Sequence, residues 1–284
     1  MFVAIVGTRA SGKSSVAQYL VEQKAFHLVK LIMVRTRPKP LVFTSPASML
    51  KHVTRNWQAD FVTVDLLTAE QLEPFTTRPF FLVVSIDAPL LIRFKSTTVR
   101  PTLSSLNHLV KLHVVNSFDS FRALHAHLDR LNLLNPERLR PGWDAYFMQL
   151  ATLASRRSNC MKRRVGAILV RNNRILSTGY NGTPRGVLNC NEGGCSRCNS
   201  ASETSDECVC LHAEENALLE AGRERVGDGA VLYCNTCPCL KCTIKIIQTG
   251  VREVVYNLSY KMDDSSAALF HEAGVILRRH APLA

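Results

Sequence analysis

The chain has 284 residues, 46% of them apolar, and 35 Lys and Arg against 23 Asp and Glu give it a net charge of +12. That length suits two domains with buried cores, and no apolar run reaches the ~18 residues a membrane-spanning helix needs. The positive excess points to an anionic ligand, either nucleic acid or nucleotide phosphate, but there is no long basic run and no aromatic-basic alternation of the kind that tracks single strands.

Residues 2–6 read as a strand, too short for a secretory signal. They run into Gly7-Thr8-Arg9-Ala10-Ser11-Gly12-Lys13-Ser14, which matches G-x-x-x-x-G-K-[ST] at each fixed position. A helix is predicted from Ser14 to about Lys24, with Val16, Ala17, Leu20 and Val21 on one side. Strand, loop and helix in this order are the setting of a phosphate-binding P-loop. Gly7 and Gly12 would shape its turn, Lys13 would reach the outer phosphates of a nucleotide, and Ser14 would hold Mg²⁺. Further strands are predicted over 61–65, 80–86 and 111–116, and a helix over 121–134. Asp65 ends its strand either as a Mg²⁺-side acid or as a solvated turn residue. The alternation suggests a doubly wound parallel sheet. Residues 84–94 are similar to the corresponding strand and helix start of small-molecule nucleotide kinases, with Arg93 and Arg100 available for a lid. Residues 1–134 are thus expected to form a P-loop nucleotide-kinase-like domain. Residues 135–142, with Pro136, Pro141 and Gly142, form the linker.

The second domain is expected over 143–284. Its first helix, over 143–157, carries Trp143, Tyr146, Phe147, Leu150 and Leu153 at helical spacing, as a core face would. Residues 165–170 and 175–179 form a hairpin, and a glycine-rich loop follows over 179–186. All ten cysteines lie between Cys160 and Cys242. This asymmetry marks a separate module. Without a signal segment it implies metal binding in a reducing compartment, the cytoplasm or also the nucleus.

The chemistry concentrates in His212-Ala213-Glu214 and Pro238-Cys239-Leu240-Lys241-Cys242. His212, Cys239 and Cys242 supply three ligands and leave a fourth tetrahedral position for water, as a catalytic zinc requires. Cys239 and Cys242 stand at i and i+3 on one face at the start of a helix. Pro238 suits its first turn, and the helix dipole favours both thiolates. His212 and Glu214 open another helix that stops at Gly222, and Glu214 is close enough to move protons for the reaction. H-x-E…P-C-x-x-C is the signature of zinc nucleobase deaminases. C-x-x-C alone would favour a structural zinc instead. Cys234 and Cys237 make another such pair, but Cys234 lies on an apolar strand and reads as packing.

Four separated motifs together resemble the deoxycytidylate (dCMP) deaminase family, in the family's order: Arg157-Ser158-Asn159-Cys160 with Val165-Gly166-Ala167, Gly179-Tyr180-Asn181-Gly182-Thr183-Pro184, His212-Ala213-Glu214, and Pro238 to Cys242. The match covers 143–280, and the P-loop-like extension before it is similar to fungal members. The resemblance implies a cytidine-deaminase-like α/β/α sandwich that hydrolyses dCMP to dUMP and ammonia, feeding thymidylate synthesis. It implies a homo-oligomer, often a hexamer, activated by dCTP and inhibited by dTTP, with no membrane partner and with nucleotide rather than nucleic acid as substrate. On the family's pattern Asn181 holds the deoxyribose hydroxyl and the backbone at Ala213 faces the base. Gly179, Tyr180 and Gly182 lie in the allosteric pocket, and Ser155, Arg157 and Lys261 are choices for the substrate phosphate. The resemblance also implies a second, structural zinc on Cys160 and Cys190, completed by Cys198, Cys208 or Cys210. The polar segment around them cannot build a core alone and would gain order on a metal. With Cys195 there are six cysteines for four positions, which leaves the set open. Two other readings share parts of this pattern. A polynucleotide deaminase is expected to lack the 179–186 loop in this form, and a P-loop kinase or sensor would use the zinc module only structurally.

Overall fold

The computed structural model describes residues 1–8, 10–31, 40–89, 106–200, 207–259 and 264–281. Arg93, Arg100 and Lys261 lie outside the described residues. The chain divides into two compact units, Met1–Arg140 and Pro141–Ala284. Among the described residues, no helix is long and apolar enough to cross a membrane.

The first unit follows the order β1 (Phe2–Gly7), α1 (Lys13–Lys24), β2 (His27–Lys30), β3 (Leu41–Val42), α2 (Pro46–Arg55), β4 (Phe61–Thr63), α3 (Ala69–Thr76), β5 (Phe81–Asp87), β6 (Leu112–Val115) and α4 (Phe121–Leu131). Its strands form one parallel sheet ordered β3-β2-β4-β1-β5-β6. β1 is central, which is why its sequence is continuously apolar and not alternating. Val3 and Ile5 face Val16, Ala17 and Leu20 of α1 and Leu124 and Leu128 of α4. Phe2, Ala4 and Val6 face Met49 and Val53 of α2 and Leu72 and Phe75 of α3. Helices on both faces of a parallel sheet make this unit doubly wound. α2 and α3 each start on a reciprocal capping box, Ser45 with Ser48 and Thr68 with Gln71.

The second unit follows the order α5 (Trp143–Ser155), β7 (Gly166–Arg171), β8 (Arg174–Tyr180), α6 (Ala213–Ala221), β9 (Val231–Thr236), α7 (Leu240–Gln248), β10 (Glu253–Leu258), α8 (Asp264–Glu272) and β11 (Ile276–Arg279). The sheet is mixed, ordered β11-β10-β9-β7-β8. β9, β10 and β11 are parallel and β7 is antiparallel to both neighbours. Asn172 and Asn173 turn the β7–β8 hairpin with φ of 52° and 58°, the paired left-handed geometry of a type I′ turn. Ala167, Leu169, Leu232, Cys234 and Val254 face α6, α7 and α8. Ile168, Val170, Tyr233 and Val255 face Phe147, Met148 and Ala151 of α5. The result is an α/β/α sandwich.

α5 departs from its predicted core face. Phe147 is buried, but Trp143, Tyr146 and Leu153 are 53%, 40% and 58% exposed. The cause is how closely the helix lies on the sheet. A Cβ placed on Gly166 of β7 would come within 2.1 Å of the Ala151 carbonyl oxygen. At that separation Ala145, Ala151, Met148 and the single ring of Phe147 fill the interface, and Trp143, Tyr146 and Leu153 are left outside it.

Candidate active site

Two helix N-termini converge on the second unit's chemistry. His212 is the N-cap of α6, so Glu214 falls in its first turn, and Glu215 closes the cap by accepting the His212 backbone N–H at 2.7 Å. Glu215 also pairs with Lys245 of α7. Cys239 is the N-cap of α7 and Cys242 sits in its first turn. Pro238 therefore precedes the cap and shapes the extended entry; it is not in the first turn as predicted. The Nδ1 atom of His212 lies 3.2 Å from Cys242 Sγ and 3.4 Å from Cys239 Sγ. Ligand atoms at zinc bond lengths of about 2.0–2.3 Å are roughly 3.4–3.8 Å apart in a tetrahedron, so this trio fits a zinc ion after shifts of a few tenths of an ångström. Among the described residues no fourth His, Cys, Asp or Glu joins the group.

The charges around the trio are strongly coupled. Burial raises the Glu214 carboxyl to about 7, against the pull of backbone N–H donation and the His212 cation. A hydrogen bond from Cys242 lowers Cys239 to about 4, and the same bond raises Cys242. The bond between the two sulfurs thus pushes one thiol down and the other up. His212 rises to about 9 because it bonds the Cys239 sulfur. Zinc would displace these protons on binding.

The trio opens on a cavity of about 630 Å³ whose walls include Glu214, Ala213, Asn181, Cys237 and Pro238. Glu214 is only 4% exposed. Asn181 is nearly saturated: its Oδ1 accepts from Ser158 Oγ at 2.7 Å and the Val165 N–H at 2.8 Å, and its Nδ2 donates to the Arg163 carbonyl at 2.8 Å. One amide hydrogen is left for a ligand. Lys162 and Arg163 are the basic residues of this cavity. Sequence reasoning passed over them, although the run Arg156-Arg157 and Lys162-Arg163-Arg164 flanking Cys160 was a visible signal. Ser155 is buried and donates to the Thr152 carbonyl, so its hydroxyl is used inside its own helix turn. Arg157 lines a different cavity, of about 440 Å³, together with Arg156, Leu150 and Tyr180. Gly179 is required by packing, since a Cβ there would meet the Ala213 carbonyl oxygen at 2.0 Å. Gly182 bridges Leu211 and leads the chain back toward His212. Cys234 is buried in the sheet core, as expected of a packing residue. The sulfurs of Cys160, Cys190, Cys198 and Cys210 gather beside the cavity, and those of Cys195 and Cys208 gather with them.

In the first unit, Gly12 takes a left-handed conformation (φ 94°) as the N-cap of α1. Lys13 folds over the loop and donates to the carbonyls of Gly7 (3.1 Å) and Thr8 (2.6 Å), and burial lowers its pKa. Ser14 is exposed beside it. The carboxylate at the loop is Asp87, which accepts from Thr8 Oγ1 at 3.0 Å. Asp65 accepts the Leu31 N–H at 2.9 Å, which is a backbone-tethering role.

A family model for the cytidine and deoxycytidylate deaminase zinc-binding region matches residues 141–258. The deoxycytidylate deaminase of Schizosaccharomyces pombe is 45% identical over 313 residues, which cover 99% of this chain and 97% of that protein. The chain belongs to the deoxycytidylate deaminase family. The deoxycytidylate deaminase of Saccharomyces cerevisiae is 39% identical, covering 98% of this chain and 96% of its own. A crystal structure of the dCMP deaminase of cyanophage S-TIM5, in complex with dCMP and dUMP, is 34% identical with a TM-score of 0.40, covering 48% of this chain and 94% of that one. The two yeast deaminases thus match the first unit as well as the second, whereas the phage chain matches about half the length.

Proposed function

We infer that the chain hydrolyses dCMP to dUMP and ammonia and so supplies dUMP for thymidylate synthesis. The observation that carries this reading is the meeting of His212, Cys239, Cys242 and the buried Glu214 carboxyl on one cavity, in a chain alike over its full length to deoxycytidylate deaminases. His212, Cys239 and Cys242 would hold a zinc ion, which when bound would supply an activated water. Glu214 carries one proton from the attacking water to the ring nitrogen and then a second, from the hydroxyl so formed, to the departing amine. The Ala213 backbone and the remaining Asn181 amide hydrogen face the base and sugar, and Lys162 and Arg163 bring positive charge to the 5′-phosphate. Turnover of dCMP, CMP, deoxycytidine and single-stranded DNA tests this reading. dCMP should be preferred, and equal turnover of deoxycytidine or the DNA would refute it.

The finer assignments rest on separate supports. Structural zinc binding among Cys160, Cys190, Cys198, Cys208 and Cys210 is supported by the clustering of these sulfurs. Activation by dCTP and inhibition by dTTP near Gly179, Tyr180 and Gly182 are supported by the second cavity, which Tyr180, Arg156 and Arg157 line. Homo-oligomerisation, up to a hexamer, is supported by the exposed Trp143, Tyr146 and Leu153 of α5. The first unit is read as a P-loop nucleotide-kinase-like domain in which Gly7, Gly12, Lys13 and Ser14 bind nucleotide phosphate and Mg²⁺. The doubly wound sheet and the Gly12 conformation support that reading. Ten free cysteines suit a reducing compartment, the cytoplasm or nucleus.

A further inference from the structure

The six cysteines beside the active-site cavity form two sets of four sulfurs. Cys160, Cys190, Cys198 and Cys210 make one set, and Cys195, Cys198, Cys208 and Cys210 make the other. Within each set every sulfur lies within 4.8 Å of every other. Cys198 and Cys210 belong to both sets and are 3.9 Å apart. The pairs Cys160–Cys198 and Cys195–Cys208 are each separated by 3.8 Å, and Cys198–Cys208 by 3.5 Å. Four thiolates around one ion with metal–sulfur bonds of about 2.3 Å make a tetrahedron whose edge is ~3.8 Å. Each set therefore has the dimensions of one coordination tetrahedron, and the two share the Cys198–Cys210 edge. Two four-coordinate ions need eight sulfur contacts. Six sulfurs supply eight only when two of them are used twice, and the geometry offers one such pair.

We propose that this corner holds two zinc ions in one six-cysteine cluster bridged by the thiolates of Cys198 and Cys210, in place of a single four-cysteine structural zinc. The cluster gives Cys195 and Cys208 a role that one ion leaves without explanation. Cys195 is 1% exposed, and Cys208 is on the surface yet turns its sulfur inward. It also explains how residues 187–200 and 207–210 hold together with so little apolar burial. Val187, Leu188 and Val209 are all exposed, and the buried side chains packed together here are the cysteines themselves. Metal–sulfur bonds replace the missing core. Sulfur-only donors select zinc and softer ions over Mg²⁺ or Ca²⁺. Six thiols release six protons to solvent as two divalent ions bind, which leaves two negative charges on the cluster. The Met161 N–H, 3.5 Å from the Cys190 sulfur, offsets part of that charge. Cys160, Cys198, Cys208 and Cys210 also line the active-site cavity, and Cys210 precedes His212 by two residues. The cluster thereby builds one wall of the cavity and fixes the approach to the His212 ligand.

Metal content of the full-length protein, loaded with zinc under a thiol-free reductant and read by plasma mass spectrometry, tests the proposal. The wild-type chain should carry three zinc ions and His212→Ala two, which separates the cluster from the catalytic metal. The Cys195→Ser, Cys208→Ser double variant should lose one ion, and the Cys198→Ser, Cys210→Ser double variant should lose two. Two zinc ions per wild-type chain with His212→Ala retaining one, or a Cys195→Ser, Cys208→Ser chain that keeps the wild-type count, would overturn the proposal. If a variant unfolds, cadmium-113 NMR of the substituted wild-type chain decides. Two cluster resonances coupled through shared sulfurs are expected, and a single cluster resonance or two uncoupled ones would refute the bridge.

Discussion

Glu214 is buried in the first turn of α6, and among the described residues His212 is the cation that acts on it. Replacing it with Gln keeps the shape and removes the proton carrier. Deamination of dCMP should fall by roughly 10²–10⁴-fold, the usual worth of a general acid–base, while zinc content by metal analysis stays at the wild-type level. Lys162 and Arg163 act through charge. Replacing both with Ala should raise KM for dCMP on the order of tenfold to a hundredfold, as expected when charged hydrogen bonds are lost, and should leave the weak turnover of deoxycytidine unchanged. Steady-state kinetics on both substrates reads this difference. His212, Glu214, Cys239 and Cys242 were legible in the sequence because local spacing along two helix starts carries their geometry. Lys162, Arg163 and Asp87 were not, because their roles depend on which loop faces which cavity, and that is settled only by packing over long sequence separations. The double use of Cys198 and Cys210 was hidden for the same reason: spacing counts ligands but does not show sharing.

At the level of elements, the site depends on how close α6 lies to β8. Gly179 makes that contact, with no space for a Cβ against the Ala213 carbonyl or the Ala217 amide. Gly179→Ala should push α6 outward and cost about 1–3 kcal/mol, typical of overpacking. The expected readout is a lower melting temperature together with reduced zinc retention, since His212 and Glu214 travel with the helix. On the opposite face, Arg278 of β11 forks onto Asp144 of α5 at 2.6 and 2.8 Å, and Tyr233 also donates to Asp144 at 2.8 Å. The Arg278 bond holds the Asp144 carboxyl below its usual range. A carboxyl depressed on folding adds stability above its unfolded pKa, near 4, and loses it as pH falls through the folded value. Urea midpoints of the wild type should therefore drop more between pH 6 and pH 3 than those of Asp144→Asn, and equal drops would show that the fork adds nothing. The sequence pattern placed β1, β4, β5, β6, α1 and α4, because apolar periodicity follows burial, and it passed over β2, β3, α2 and α3. It misread the inward face of α5 because helical spacing marks an apolar stripe, not which part of the stripe a close-lying sheet admits.

For the whole molecule, His212, Glu214, Cys239 and Cys242 all lie in the second unit. Lys13→Ala should leave deamination of isolated dCMP largely intact while abolishing any binding of Mg²⁺–ATP measured by calorimetry. A complete loss of deamination would tie the first unit to catalysis. Within the second unit the two kinds of metal site differ in what sustains them. The six-cysteine corner has little but its sulfurs, whereas the trio sits on two helix caps anchored in a hydrophobic core. Glu215 fastens the α6 cap to the body of α7, accepting the His212 backbone N–H with one oxygen and pairing with Lys245, in the last turn of α7, with the other. The reaction centre is thus shaped in advance of its ion, like a vice closed to gauge before the workpiece is fitted. Protein refolded in a chelator should recover the α6 and α7 caps unaided, whereas the six-cysteine corner and turnover should return only once zinc is restored.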